Sequence, residues 1–141
     1  GDYDMMFASS AVGDWKPAVM SREKISTRKN KKLTLELVPT VKIIDGIKKN
    51  FPKVFLVAFR ALHDLSEKEL LSDGRQRMKI ADADMIAVND VSKPGQGFET
   101  DTNAMLAVTK DGNVTRLGFA SKYEIARKLL TIAEERICRR R

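Results

Sequence analysis

The sequence predicts a single three-layer α/β domain over residues 1–141: a Rossmann-like parallel sheet of about four strands with an antiparallel hairpin extension. Three observations predict it. Apolar runs of strand length alternate with segments of helix length. Two Ser-x-x-Glu capping boxes, Ser66 with Glu69 and Ser121 with Glu124, open helices. Near the end, Asp111-Gly112-Asn113 separates two strand-like stretches, a hairpin signal.

Residues 4–12 read as a short buried strand, and residues 13–32 follow without periodicity as a loop with room for one turn of helix. A loop of that length inside a compact domain is usually functional or disordered. Leu33, Leu35 and Leu37 alternate with Thr34 and Glu36, the period of a strand with one buried face. Thr40 then caps a helix to about Asn50, which Phe51-Pro52 ends. Residues 53–59 are the next apolar strand. The capping box at Ser66 opens a helix towards Ala81, with Gly74 weakening its middle. Residues 84–91 form a strand, 104–110 and 114–119 the hairpin. In the last helix Ala126, Leu129, Leu130, Ala133 and Ile137 make one apolar face.

The composition is that of one domain with a real core: 141 residues, 43% hydrophobic and 6% aromatic. Cys138 is the single cysteine, so neither an internal disulfide nor a cysteine-rich metal site can form, and a reducing cytoplasm is the expected setting. No apolar run approaches the roughly 20 residues that span a bilayer, and the opening GDYDMMFASS is acidic where a signal peptide is basic. The net charge of +7 fits a phosphorylated ligand, nucleic acid or a solvated surface. Six of the eleven residues from Arg22 to Lys32 are basic, a candidate phosphate-binding cluster, whereas Arg136, Arg139, Arg140 and Arg141 suit a solvated helix end. A nucleic-acid-binding domain would explain the charge, but no helix-turn-helix, zinc or aromatic stacking signature accompanies it.

Residues 84–103 carry the strongest functional signal. Met85, Ile86, Ala87 and Val88 suit a strand covered on both faces, and Asn89 and Asp90 stand at its carboxyl end, where open α/β sheets bind ligands. The loop beyond holds Pro94, Gly95 and Gly97, and Asn89, Asp90, Asp101 and Asn103 offer acceptors and amides to a polar ligand. Each of these alone reads as an Asx turn; together they read as a site. Asp14 follows the small residues Ala8, Ser9, Ser10 and Ala11, which let a flat ligand approach the backbone, and its carboxylate can hold Mg2+ on a triphosphate.

The run AVNDVSKPGQGFETDTNAMLAVTKDG resembles the phosphopantothenate-cysteine ligase domain of the coenzyme A biosynthesis flavoproteins, with its A-N-D-V-S, G-F, D-x-N-A and D-G elements in order. FASSAVGDWKP (7–17), EKIS (23–26), LTLELV (33–38) and VFLVAFRA (54–61) fall in the family's order as well, so the resemblance covers nearly the whole chain. It implies ligation of 4'-phosphopantothenate to cysteine through an acyl-cytidylate, with CTP as nucleotide, ATP as the alternative, and Mg2+. The expected nucleotide-binding residues are Ser10, Ala11, Asp14, Lys24, Lys42, Ile43, Phe59 and Arg77; Lys24 is the catalytic candidate, Asp14 the metal ligand, and Asn89 and Asp90 the substrate-binding pair. Several positions depart from the family. Ser10 stands for alanine, Ser26 and Thr27 for two lysines, Lys42 for aspartate, Arg60 for a small residue, Leu62-His63 for a Glu-Thr pair and Ala81 for a second phosphate-binding lysine.

The family's opening G-x-T-x-E strand and S-S-G-x-x-G loop have no counterpart here, so the expectation is the C-terminal part of that domain, or one half of a split protein, with its first strands lacking. A homodimer is expected, with the hairpin reaching the partner subunit. A non-catalytic nucleotide-binding and dimerisation half is the alternative to a working ligase.

Overall fold

Residues 85–88 are apolar without alternation, and the structure places them where that pattern demands, at the centre of a sheet covered on both sides. In the computed structural model, which describes residues 3–10, 12–28, 32–97 and 99–139, the elements are β1 (Met5–Ala8), β2 (Trp15–Pro17), β3 (Leu37–Pro39), α1 (Ile44–Asn50), β4 (Phe55–Leu62), α2 (Glu67–Ile80), β5 (Met85–Asp90), β6 (Thr102–Thr109), β7 (Val114–Ser121) and α3 (Lys122–Cys138). They fall into two compact units, Gly1–Ser9 with Ile44–Arg141, and Ser10–Ile43.

The larger unit is built on a five-stranded sheet in the order β1-β4-β5-β6-β7. β1, β4 and β5 run parallel, with Met5 opposite Phe55 and Val57 opposite Met85. β6 and β7 then turn antiparallel, with Met85 opposite Thr109 and Val108 opposite Val114. The period of 2 in a strand sends alternate residues to opposite faces. Leu56, Ala58, Ile86 and Val88 pack with Ile47 of α1 and Leu70 and Met78 of α2. Phe55, Val57, Met85 and Ala87 pack on the other side with Ile125, Leu129 and Ala133 of α3. This is the expected α/β layering.

Both capping boxes form as the sequence predicts. The Ser66 hydroxyl accepts from Glu69 N while Glu69 Oε2 accepts from Ser66 N at 2.9 Å, and Ser121 and Glu124 repeat the arrangement at α3. The hairpin turn also forms: Gly112, at φ 90°, donates its N–H to Thr109 O. Gly74 does more than weaken its helix. A Cβ there would lie 2.6 Å from Val88 Cγ1, so the missing side chain lets α2 approach β5.

Several expectations change. The first strand, β1, is a partly exposed edge strand rather than a buried one, and the expected loop 13–32 holds β2. The parallel part has three strands, because the alternating leucines do not join it. Leu33, Leu35 and Leu37 are each about half exposed, and β3 pairs only with β2, antiparallel, with Trp15 opposite Pro39. Alternation reports a strand's two faces but not whether a core exists to receive one of them. Thr40 does not cap α1, which starts at Ile44; its hydroxyl donates to Gly13 O and its N–H to Asp14 O, tying the β2–β3 ribbon together. The apolar face of α3 is turned from the expected one, with Ile125, Leu129 and Ala133 buried and Leu130 41% exposed.

Candidate functional site

At the carboxyl ends of the parallel strands, on the α3 side, the larger unit has an open groove of about 670 Å³. Odd-numbered residues of β1, β4 and β6 face it: Phe7, Phe59, Asn103 and Met105, joined by Ser9. The α3 wall is made by Lys122, Ala126, Leu129 and Leu130. The groove exists because the turn of α3 that buries Ile125 and Leu129 leaves Ala126 and Leu130 beside it. Its floor is aromatic, with the Phe7 and Phe59 rings 6.5 Å apart between centroids and tilted by 42°.

One buried polar pair closes this end of the sheet. Asn89 Nδ2 donates to Asn103 Oδ1 at 3.2 Å, and the backbone N–H of Ala104 donates to the same oxygen at 2.9 Å. Both asparagines are at least nine-tenths buried. Because a backbone N–H can only donate, the atom facing it must be oxygen, which fixes the orientation of both amides.

Asp90 points to the other face and is consumed by loop structure. Its Oδ1 accepts from Ser92 Oγ at 2.6 Å, Ser92 N at 2.9 Å and Asp64 N at 3.1 Å, joining the loop after β4, where Asp64 takes φ 56°, to the loop after β5. The Ser92 hydroxyl, then its N–H, with smaller contributions from Asp64 N–H and the Lys93 charge, draw the carboxyl down to about 2 against the effect of burial. The glycine loop is similarly tied: Thr102 Oγ1 donates to Gly95 O at 2.6 Å, and a Cβ on Gly95, at φ 74°, would meet the Phe119 ring at 3.0 Å.

Of the expected site residues in this unit, the structure brings Phe59 and Asn89 to the groove face and sets Arg77 and Asp90 on the opposite one. Arg77 lies on α2, with Nη2 2.7 Å from Asp45 Oδ1 of α1. The charges are in contact without hydrogen-bond alignment, since that buried oxygen has no hydrogen-bond partner. In the smaller unit Asp14 pairs with Lys42, both half-exposed, and Ser10, Lys24 and Ile43 are exposed. Ala11 lies outside the described residues. No group of three or more His, Cys, Asp or Glu arranged for a metal occurs among the described residues. No helix among them is long and apolar enough to cross a membrane. The sequence puts Asn103 in the polar cluster that reads as a site but does not mark it among the nucleotide- or substrate-binding residues; the shared parity of Asn89 on its strand and Asn103 on the next is the signal that pairs the two.

A mixed parallel and antiparallel sheet, with α1 and α2 on one face and α3 on the other, defines an α/β domain of Rossmann-like fold. More particularly, the chain belongs to the DNA/pantothenate metabolism flavoprotein C-terminal domain family, which matches residues 1–136. It is 34% identical over 127 residues to the coenzyme A biosynthesis bifunctional protein CoaBC of Thermococcus kodakarensis, covering 90% of this chain and 30% of that protein. Against the CoaBC of Vibrio cholerae it is 30% identical over 139 residues, covering 96% of this chain and 33% of the other. The DNA/pantothenate metabolism flavoprotein structure from Streptococcus pneumoniae superposes with a TM-score of 0.73 at 26% identity, over 95% of this chain and 64% of that one. The chain thus spans about a third of the length of the curated relatives it matches.

Proposed function

We propose that this chain contributes the nucleotide-binding part of a phosphopantothenate-cysteine ligase. The observation that carries the reading is the groove at the carboxyl strand ends, floored by Phe59 and bordered by the Asn89–Asn103 pair, in a chain whose relatives are named for coenzyme A biosynthesis. The reaction runs in two steps. The carboxylate of 4'-phosphopantothenate attacks the α-phosphorus of CTP, forming an acyl-cytidylate and releasing pyrophosphate. The amino group of cysteine then attacks the acyl carbon, forming the amide, expelling CMP and giving up a proton. No nucleophilic side chain is needed, so the protein's contribution is positioning and charge neutralisation.

Lys24 is the proposed point charge for the reacting phosphates, being exposed and carried on a flexible stem. Mg2+ bound to a nucleotide commonly takes one or two protein carboxylates and completes its shell with phosphate and water, and Asp14 fits that limited role. Lys42, now paired with Asp14, would have to move towards phosphate as the metal arrives. Arg77 can join only by leaving Asp45. CTP is the preferred nucleotide and ATP the alternative. The setting proposed is the cytoplasm, with no nucleic-acid partner.

A homodimer is part of the reading. In the smaller unit Trp15, Val19, Met20 and Leu35 are 58% to 87% exposed, apolar surface that a second copy would cover. The hairpin adds Phe119 at 62%. Sedimentation at micromolar concentration should show a dimer, and a clean monomer would remove it. Calorimetric titration in Mg2+ is the test of the function: CTP should bind more tightly than ATP. Tighter ATP binding overturns the nucleotide choice. Binding without any pyrophosphate release, even when the remaining part of the ligase domain is supplied, would leave the non-catalytic half as the reading.

A further inference from the structure

The groove is lined mostly by apolar and aromatic side chains; besides the exposed Ser9 and Lys122 it holds one buried amide, that of Asn103. Asn103 is 9% exposed, and its Oδ1 already accepts from Asn89 and from the Ala104 N–H. Its Nδ2 makes no hydrogen bond among the described residues. Among those residues the one side-chain nitrogen or oxygen that is both sealed from solvent and without a hydrogen bond is Asp45 Oδ1. Asn103 Nδ2 is therefore not sealed, and Asn103 lines the groove. An unsatisfied donor held in fixed orientation beside Phe59 and Met105 suits a flat ligand that carries an acceptor on its edge.

We propose that Asn103 is a base-reading residue, its Nδ2 donating to a ring nitrogen or exocyclic carbonyl of a nucleobase lying against Phe59, with Asn89 acting as the positioning residue that holds the amide in that orientation. The proposal rests on the nucleotide reading above and adds to it the residue and the edge of the base. A pyrimidine such as cytosine carries acceptors at O2 and N3, side by side on one edge. The aromatic floor accepts the ring, and the buried amide donor beside it decides how the ring is turned. The charged part of the nucleotide is not asked to touch Asn103 at all.

Asn103→Asp separates this role from a structural one. Aspartate keeps an oxygen for Asn89 Nδ2 and for the Ala104 N–H, while the donor towards the groove is replaced by a charged acceptor; neutral cytidine reads the lost donor and tripolyphosphate reads the added charge. Binding of CTP, cytidine and inorganic tripolyphosphate should be titrated into the unmodified chain and the variant, with thermal unfolding as a check on the fold. The expected result is at least a tenfold loss for both CTP and cytidine, with tripolyphosphate unchanged. Equal CTP binding by the two proteins would overturn the role of Asn103 and leave the nucleotide reading intact. A parallel tenfold loss of tripolyphosphate would also overturn it, because the effect would then be one of charge or distortion. No CTP binding by the unmodified chain would overturn both. Should the variant fail to fold, the side-chain amide NMR signals of Asn103 in the unmodified chain decide: a shift on CTP saturation supports the role, and no shift sinks it.

Discussion

The two faces of the central sheet are finished differently. On the α1–α2 face polar groups are paired off: Asp90 ties two loops, Arg77 meets Asp45, and Lys48 Nζ sits 2.8 Å from the buried Asp84 carboxylate, which also accepts from Leu56 N. On the α3 face the packing stops short of the strand ends. Phe7, Phe59 and Leu130 line open space there, and the Asn103 amide makes no donated hydrogen bond among the described residues. Asn89 and Asp90 are consecutive residues of one strand, yet the first belongs to the open face and the second to the closed one. A polar residue at a strand end thus faces the groove or is tied into loops according to its parity and to what packs on that face.

Breaking the closed face should have the largest effect. Lys48→Met leaves Asp84 charged and buried without its counter-ion, and should destabilise the larger unit by about 3–5 kcal/mol in denaturant titration. Adding Asp84→Asn should recover much of the loss, since the new side chain can still accept from Leu56 N. A next pair of variants compares neighbours across the boundary of the open face. Leu129→Ala should cost about 2–5 kcal/mol because Leu129 is 1% exposed. Leu130→Ala, at a position 41% exposed, should cost less than about 1 kcal/mol while altering ligand binding in the groove. Equal losses would mean that the groove is closed in solution.

Gly74→Ala tests how tightly the closed face is packed. Overpacking against Val88 costs about 1–3 kcal/mol, helix propensity returns about 1, and the net should be a loss of about 0–2 kcal/mol. A gain in stability would show that α2 can move away from β5.

The smallest effect is read from pH. Asp90 has its folded value lowered from 3.8 to about 2, so its contribution is fully present above pH 3.8 and is lost as pH falls towards 2. Glu67, Glu69, Asp111 and Glu124 are also lowered by their hydrogen-bond partners, so the overall acid slope is shared. The difference between the unmodified chain and Asp90→Asn isolates Asp90. That difference should change with pH between about 4 and 2 and stay level above that range.

Local pattern was enough for everything whose cause is local. Two capping boxes, the turn at Gly112, the doubly covered run 85–88 and the alternation of helix and strand could all be read directly, because each depends on bonds within a few residues or on a period. The family-like run around Asn89 likewise located the strand end where the groove lies. Tertiary structure alone decided the rest. Leu33, Leu35 and Leu37 alternate as a buried strand would and remain half-exposed, because burial needs a second surface that their own period cannot specify. Ile125 replaced Ala126 on the buried face of α3 because the turn of a helix about its axis is set by the sheet beneath it. Asn103, already in the polar cluster of the sequence, was paired with Asn89, fourteen residues earlier in the chain, only when β6 folded back beside β5, since which donor is left facing a groove depends on how every neighbouring group has been satisfied.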